Sequence, residues 1–312
     1  MKNVAFVFPG QGSQQVGMLS AMIDAYPVVK NTFNEASSVL GYDMVALCLN
    51  NPQDQLNQTE FTQPAILTAS VAMWRAFSAE CSALPQWMAG HSLGEYSALV
   101  CAGAFDFKDA LTLVSLRGKY MQEAVPEGEG ALAAIIGLSD EAVLQLCMDM
   151  AEGDVLVPAN YNTPGQVVIA GSMAAVTRAI TVAKERGAKL AQRLPVSVPS
   201  HSLLMKPAAL RLKEVIERVT FKKPAVSVVN NVDVACMNEP ADIREALLRQ
   251  LVSPVRWVEI IHYFLQQGVT HIVECGPGKV LSGLNKRIDR NLQLTSIYDP
   301  DTLSQFITTL RF

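Results

Sequence analysis

Charged side chains are scarce in this sequence, and no stretch of it stays apolar for long. Only 17% of the 312 residues are Asp, Glu, Lys or Arg, and the net charge is −4. Proteins that bind nucleic acids carry a basic excess, so this charge balance argues against that class. No apolar run approaches the roughly 20 residues that cross a bilayer. Because half the residues are apolar, we expect a large core, in one domain or in a large one with a smaller companion.

Cysteine and histidine are also sparse and lack any metal-ligand spacing. The six cysteines are Cys48, Cys81, Cys101, Cys147, Cys236 and Cys275. They form no C-x-x-C pair, so we expect free thiols in a reducing compartment and no disulfide or zinc site. The N-terminal stretch MKNVAFVFPGQG has five apolar residues before Pro9, too few for a secretory signal. These features predict a buried first strand and a cytoplasmic protein.

Apolar periodicity predicts an α/β protein with an insertion. Helical patterns cover about 27–39, 62–80, 92–102 and 107–123, and a short strand lies at about 86–89. Over about 130–195 the order is β-α-β-β-α-β, which is the ferredoxin-like arrangement. Strands near 226–229 and 270–275 then alternate with helices again. We therefore predict a doubly wound, mostly parallel domain (1–128 and 196–312) interrupted by a small α+β subdomain (129–195), with a ligand cleft between them.

The stretch Gly90-His91-Ser92-Leu93-Gly94 is the main chemical signal. G-x-S-x-G between a strand and a helix is the nucleophile-elbow pattern, in which the glycines permit a sharp turn that exposes the serine hydroxyl. The N–H of Leu93, at the start of the helix, would then face an oxyanion. The alternative is that Ser92 only caps the helix.

The loop FPGQGSQQVG, which follows the first strand, is a second source of free backbone N–H groups. An elbow enzyme takes its second oxyanion donor from another loop, and this loop is a candidate for it. A plain tight turn explains the glycines equally well. The sequence pattern leaves both interpretations open.

A serine nucleophile requires a base, and the sequence contains four histidines. His91 adjoins Ser92, where the bent backbone sends the two side chains in different directions. His262 lies off the apolar stripe of its helix, and His271 sits in an apolar run typical of a core residue. His201 follows Pro199 at the end of a strand-like run, so we expect it to be the base. Spacing does not select the group that orients His201, because many carboxylates and every carbonyl compete.

Arg117 is the most informative charged residue. It falls on the apolar face of its predicted helix, together with Leu113, Val114 and Met121. An arginine that points inward must be paired, since an isolated buried charge is costly. One interpretation is a structural ion pair, or a stem that extends to the surface. The other is a guanidinium fork that binds a substrate carboxylate.

Seven motifs together resemble one known family. FVFPGQGSQ, GHSLGEYSAL, RGKYMQ, NYNTPGQVVIAG, VSVPSHS, SPVRW and ECGPGKVLSGL closely resemble, in order, the motifs of the malonyl-CoA:acyl carrier protein transacylases of fatty acid synthesis. The resemblance covers essentially the whole chain, and the motifs are jointly highly specific. It implies an α/β-hydrolase-like domain with an inserted ferredoxin-like subdomain, in agreement with the elements predicted above.

The resemblance also implies roles for individual residues. Ser92 would be the acylated nucleophile and His201 its base, with the backbone carbonyl of Gln250 orienting the imidazole in place of a carboxylate. The N–H groups of Gln11 and Leu93 would form the oxyanion hole. The residues implied to bind the substrate, with Arg117 on the malonyl carboxylate, are Arg117, Asn160, Asn162, Met121 and Val280. Malonyl-CoA would be a substrate, and we expect no permanently bound cofactor and no metal.

The second implied partner is a holo acyl carrier protein, a class of acidic proteins. The candidate basic patch for it is Lys279, Lys286, Arg287 and Arg290, although a solvated helix face explains these charges equally well. We expect a monomer that binds neither membrane nor nucleic acid. Two other functions fit the same residues. A thioesterase would share Ser92 and His201 but release free malonate, and a non-catalytic carrier-binding module would keep the fold without being acylated.

Overall fold

A computed structural model describes residues 1–196 and 198–310. Ser197, within the motif VSVPSHS, and residues 311 and 312, at the end of the predicted large domain, lie outside the described residues. The strands are β1 (Val4–Phe8), β2 (Trp87–Gly90), β3 (Gly130–Ile136), β4 (Leu156–Thr163), β5 (Gln166–Ser172), β6 (Leu190–Arg193), β7 (Ser227–Val229), β8 (His271–Cys275) and β9 (Gln293–Ile297).

The helices follow the alternating pattern expected of an α/β chain. They are α1 (Ser20–Ala25), α2 (Pro27–Leu40), α3 (Met44–Asn50), α4 (Thr59–Glu80), α5 (Leu93–Cys101), α6 (Phe107–Glu123), α7 (Asp140–Ala151), α8 (Met173–Glu185), α9 (Lys206–Ile216), α10 (Pro240–Gln250), α11 (Trp257–Gln266), α12 (Val280–Ile288) and α13 (Pro300–Leu310). Short 3₁₀ turns cover Pro52–Asn57 and Leu203–Met205. Among the described helices, none is both long enough and apolar enough to cross a membrane.

The larger sheet, as described, has the parallel strand order β7-β2-β1-β8-β9. Its central strand β1 is buried along its whole length, as its continuous apolar sequence predicts. Side chains alternate between the two faces of a strand. Phe6 and Phe8 accordingly belong to the apolar core on one face, while Ala5 and Val7 belong to a second apolar cluster, which includes Trp257, on the other.

The smaller sheet confirms the predicted insertion. Its chain order is β3-α7-β4-β5-α8-β6, and its antiparallel strand order is β4-β5-β3-β6, which is the ferredoxin-like topology. One face packs on α7 and α8 through residues such as Val143 and Val176. The opposite face, which carries Leu132 and Val168, lines a cleft against the larger domain. The domain boundaries at 128/129 and 195/196 stay predictions.

A short backbone bridge ties the smaller sheet to the larger domain. The N–H of Val255 donates to the carbonyl of Ala159 at 2.8 Å, and the N–H of Tyr161 donates to the carbonyl of Val255 at 2.9 Å. This parallel bridge holds the edge strand β4 where its register shifts, between Pro158 and Asn160. The polar residues of β4 are thereby held at the cleft.

The corner between β2 and α5 is packed too tightly for any side chain at its two glycines. A Cβ on Gly90 would lie 1.8 Å from the carbonyl carbon of Gly94, and one on Gly94 would lie 2.1 Å from the carbonyl oxygen of Phe8. Both contacts are with backbone, which cannot rotate away. The glycines of the G-x-S-x-G motif therefore let α5 start directly against the ends of β1 and β2.

We predict that Gly90→Ala lowers the free energy of unfolding by about 3 kcal/mol or more, at the upper end of overpacking costs. The matched control is Gly283→Ala in α12, where an added Cβ meets nothing within 4 Å. That exchange should stabilise the protein by about 0.5–1 kcal/mol, because alanine loses less backbone entropy in a helix. Denaturant unfolding of both variants checks this. Equal effects of the two substitutions would contradict the steric interpretation of the corner.

Candidate active site

Ser92 occupies the corner in a strained backbone conformation. Its φ is 51° and its ψ is −111°, a positive φ that non-glycine residues rarely adopt. Its side chain makes no capping hydrogen bond to α5, so the helix-cap interpretation is not supported. Ser92 Oγ instead lies 2.8 Å from Nε2 of His201. The hydroxyl therefore faces a group that can accept its proton.

His201 is held in the neutral tautomer that a base requires. Its Nδ1 lies 2.8 Å from the backbone carbonyl oxygen of Gln250, the last residue of α10, where a carbonyl has no intrahelical donor. A carbonyl only accepts, so Nδ1 carries the proton and the lone pair of Nε2 faces Ser92. Burial, together with the charge of Arg117, lowers the pKa of His201 to about 3. The imidazole is thus an unprotonated acceptor at neutral pH.

The other three histidines lie where the sequence predicts them. His91 turns away from Ser92, and its Nε2 lies 2.8 Å from Oδ1 of Asn162. His262 is exposed on α11. His271 is buried in β8, with its Nε2 2.9 Å from the hydroxyl oxygen of Thr295. Among the four, His201 is the one whose ring contacts the Ser92 hydroxyl.

Arg117 points inward from α6 and is only 1% exposed. One terminal nitrogen donates to Oε1 of Gln63 at 2.8 Å, and the other donates to Oε1 of Gln250 at 3.0 Å and approaches Ser92 Oγ at 3.4 Å. Its guanidinium carbon lies 5.3 Å from the ring centre of Tyr96. Within residues 1–196 and 198–310, no carboxylate forms a salt bridge with it. Neither a direct ion pair nor an extended surface stem therefore explains this arginine.

One cavity of about 190 Å³ collects most of the predicted residues between the two subdomains. It is lined by Ser92, His201, Arg117, Gln11, Leu93, Met121, Asn160 and Asn162, with an apolar wall of Leu132, Val168, Leu194 and Val196. Leu93 is the first residue of α5, where a helix N–H has no intrahelical acceptor. The cavity therefore brings together the Ser92 hydroxyl, the His201 imidazole, the first residue of α5 and the guanidinium of Arg117.

Val280 is the one predicted substrate-binding residue that does not line this cavity. It is 48% exposed at the start of α12 and lines a separate cavity with Ser13 and Lys279. The sequence did not indicate this position, because the pattern around Val280 does not distinguish an exposed valine at the start of a helix from a buried one. In the part of the chain that the structure describes, no cluster of His, Cys, Asp and Glu is suited to hold a metal ion.

Sequence reasoning missed Gln63 and the side chain of Gln250, which together hold the guanidinium of Arg117. Gln63 is separated from Arg117 by 54 positions, so no local pattern connects the two. A signal did exist. Gln63 is a buried polar residue within an otherwise largely apolar segment of α4, which indicates a required hydrogen-bond partner.

Comparisons with known proteins show which family this chain is similar to in sequence and in overall fold. The family described as "Acyl transferase domain" matches residues 5–290. The malonyl CoA-acyl carrier protein transacylase of Salmonella typhimurium is 55% identical, over 99% of this chain and 100% of that protein. The structure of the malonyl CoA-acyl carrier protein transacylase from Coxiella burnetii has a TM-score of 0.98 at 52% identity, covering 99% and 98% of the two chains. A malonyl-transacylase in complex with a type II PKS acyl-carrier protein has a TM-score of 0.97 at 53% identity, covering 98% and 99%.

The lowered pKa of His201 predicts a specific pH dependence of stability. In the unfolded chain the imidazole takes up a proton near pH 6.5, whereas in the fold it stays neutral down to about pH 3. The unfolded state therefore binds more protons between these values, and stability falls as the pH decreases through this window. Between pH 7 and pH 5 this loss amounts to about 2 kcal/mol.

His201→Gln removes this contribution. Between pH 7 and pH 5 the free energy of unfolding of the variant should therefore decrease by about 2 kcal/mol less than that of the wild-type protein. Denaturant unfolding at both pH values measures the difference. Glu95, whose pKa burial raises to about 7, acts in the opposite direction in both proteins and so cancels. Parallel pH curves for wild type and variant would show that the imidazole is not held neutral.

Proposed function

This chain belongs to the malonyl CoA-acyl carrier protein transacylases, within the acyl transferase domain family, and we propose that it transfers a malonyl group from malonyl-CoA to the phosphopantetheine thiol of an acyl carrier protein. The reaction is ping-pong, with an ester on Ser92 as the intermediate. The observation that carries this proposal is the chain of contacts from Ser92 Oγ to His201 and on to the Gln250 carbonyl, both at 2.8 Å, beside the buried Arg117.

Acylation begins when Ser92 Oγ attacks the thioester carbon of malonyl-CoA. His201 Nε2 takes the hydroxyl proton, and the Gln250 carbonyl stabilises the imidazolium that forms. The negative charge moves to the former carbonyl oxygen, where the N–H groups of Leu93 and Gln11 stabilise it, each by roughly 3–4 kcal/mol. When this intermediate collapses, the carbon–sulfur bond breaks and His201 returns the proton to the departing CoA thiolate.

The second half-reaction reverses these steps with a new thiol. The phosphopantetheine thiol of the carrier protein enters the same cavity and loses its proton to His201. Its sulfur attacks the malonyl ester, and the oxyanion forms against the same two N–H groups. The ester bond to Ser92 then breaks, and His201 returns the proton to Oγ. Free enzyme and malonyl thioester of the carrier protein result.

Arg117 supports a donor that carries a carboxylate. Its guanidinium keeps N–H groups beyond those used by Gln63 and Gln250, and it lines the same cavity as Ser92. A malonyl carboxylate on this cation would form charge-assisted hydrogen bonds and hold the thioester carbon at the serine. Asn160, Asn162 and Met121 line the remaining space, and we propose that they contact the acyl-thioester arm of the donor.

The function is tested by intact-mass spectrometry after a brief pulse of malonyl-CoA, with and without holo carrier protein. We expect a malonyl adduct on the enzyme that disappears when the carrier is added, and a carrier of correspondingly greater mass. Ser92→Ala is the matched control and should carry no adduct. A thioesterase would instead accumulate free malonate, and a carrier-binding module would never be acylated; either result would refute the proposal.

The same assay with Arg117→Ala tests the carboxylate site. We expect acylation by malonyl-CoA to slow by about 100-fold, the loss of one or two charge-assisted hydrogen bonds. Acylation by acetyl-CoA, which has no free carboxylate, should change far less. An equal loss for both donors would assign Arg117 a structural role only.

We further propose that the carrier protein docks on a basic patch of α12 and the residues beside it. Lys279, Lys286, Arg287 and Arg290 are all exposed. Arg287 donates to Oε1 of Gln166 at 2.9 Å, so the patch extends to the smaller subdomain. Opposite charges across an interface accelerate association and are screened by salt. The monomeric state, the cytoplasmic location and the lack of a bound cofactor stay predictions from the sequence.

Salt should therefore weaken transfer to the carrier protein but not transfer to a small thiol such as pantetheine. Lys286→Ala should raise the KM for the carrier severalfold at low salt. This corresponds to a loss of about 1 kcal/mol or less in binding free energy, as expected for one exposed charge at the edge of an interface. The matched control is Lys213→Ala, an exposed lysine on α9 outside the patch. If both lysine variants behave alike, the patch is only a solvated helix face.

A further inference from the structure

Glu95 is a buried carboxylate directly behind the Ser92 corner, and the mechanism above does not use it. It lies in the first turn of α5 and is only 2% exposed. One of its oxygens, Oε2, accepts two hydrogen bonds, from the backbone N–H of Asn231 at 2.9 Å and from Nε2 of Gln250 at 2.8 Å. These two hydrogen bonds fix the position of the buried carboxylate relative to Ser92.

Both partners of Glu95 hold the backbone of Ser92. Oδ1 of Asn231 accepts the N–H of Ser92 at 2.8 Å, and Nε2 of Gln250 donates to the carbonyl of Ser92 at 3.1 Å. Asn231 also donates to the carbonyl of Gly90 at 2.7 Å. A strained conformation such as that of Ser92 persists only where its surroundings over-determine it. A single carboxylate oxygen thus accepts from the backbone of Asn231 and from the side-chain amide of Gln250, the two residues that hold Ser92.

The amide of Gln250 also connects Glu95 to the cation of the site. Its two amide hydrogens are used by Glu95 and by the carbonyl of Ser92, so its Oε1 must face the opposite way. There it accepts from Arg117 at 3.0 Å. A buried guanidinium and a buried carboxylate are therefore paired across one oriented amide, with no direct contact between them.

We propose that Glu95 is a positioning residue that, through the Gln250 amide, supplies the counter-charge of Arg117 and so sets how strongly the acyl donor's carboxylate is held. The inference rests on the proposed function, in which Arg117 receives that carboxylate. When the donor binds, two carboxylates share one guanidinium in a site of low dielectric, and they repel each other. The repulsion weakens binding of the donor and so raises its KM. It leaves kcat unchanged, because it acts equally on the bound donor and on the transition state.

The test variant is Glu95→Gln, which keeps an acceptor oxygen for Asn231 and Gln250 but removes the charge. We expect the KM of malonyl-CoA to fall about fivefold and that of acetyl-CoA to stay within about twofold, because only malonyl-CoA has a free carboxylate for Glu95 to repel. The kcat should change little, since Ser92 keeps its anchors. Rates of Ser92 acylation by each donor at concentrations well below KM, measured by intact mass, give the malonyl-to-acetyl ratio of kcat/KM directly.

Glu95→Met separates the anchoring role from the charge. It removes the acceptor as well, which leaves the Asn231 N–H and the Gln250 amide without a buried partner. Acylation should slow about tenfold with both donors, and Glu95→Gln should restore it. If Glu95 had a purely structural role, Glu95→Met would have a lower melting temperature. Glu95→Gln would then keep the wild-type malonyl-to-acetyl ratio.

Glu274→Gln is the matched control for removing a buried negative charge. Glu274 in β8 is fully buried and accepts the N–H groups of Leu281 and Ser282 at the start of α12. If Glu274→Gln affects binding of the CoA part of the donor, it affects malonyl-CoA and acetyl-CoA equally. The malonyl-to-acetyl ratio should therefore stay unchanged in this variant. A folded Glu95→Gln protein with the wild-type ratio would overturn the inference alone, whereas a wild-type enzyme that is never acylated would overturn the proposed function.

Wild-type enzyme provides a second measurement that needs no substitution. Burial raises the pKa of Glu95 to about 7, so its charge is lost as the pH falls through neutrality. The malonyl-to-acetyl ratio should therefore rise as the pH is lowered from 8.5 to 6. Over this range Glu95 loses its negative charge, whereas the carboxylate of malonyl-CoA stays ionised and is no longer repelled. Of the other groups that act on this region, Arg117, Arg249 and Asp233 stay ionised and Tyr96 and His201 stay neutral, while burial lowers the pKa of His91 and so favours its neutral form. A ratio independent of pH would overturn the inference.

Discussion

Three backbone segments meet at one point beneath the Ser92 side chain, and the rest of the site depends on this contact. The ends of β1 and β2 and the first turn of α5 approach so closely that only hydrogen fits at Gly90 and Gly94. Since α5 cannot move away, Ser92 adopts a positive φ and its hydroxyl projects into the cleft. Leu93, the first residue of α5, lines the same cavity. Backbone packing in the core of the larger domain thus determines the position of the Ser92 hydroxyl.

Amide groups, and not ion pairs, stabilise the polar atoms around this corner. Gln250 makes most of these contacts: its backbone carbonyl orients His201, and its side chain contacts Arg117, Glu95 and Ser92. A direct carboxylate partner would neutralise the guanidinium and compete with an anionic substrate. The neutral amides of Gln63 and Gln250 accept one hydrogen bond from each terminal nitrogen of Arg117 and leave its charge and its remaining N–H donors available.

The smaller subdomain completes the cavity from the opposite side. The bridge between Val255 and strand β4 places Asn160 and Asn162 over the corner, and the apolar face of the smaller sheet forms one wall. Apolar walls lower the local dielectric, which strengthens every electrostatic interaction made inside the cavity. The lowered pKa of His201 has the same origin, because desolvation disfavours its charged form.

Features that depend on local sequence and periodicity were predictable. The elbow follows from glycine spacing, the inward direction of Arg117 from the helical repeat, the inserted subdomain from the order of its elements, and His201 from its position after a strand-like run. The choice of hydrogen-bond partners was not predictable, because Gln63, Asn231 and Gln250 reach the site from separate elements, up to 158 positions away. The Gln250 carbonyl came only from the family resemblance, and Val280 proved to lie outside the cavity. Spacing determines which way a side chain points along its own element; only the packing of elements determines what it meets there.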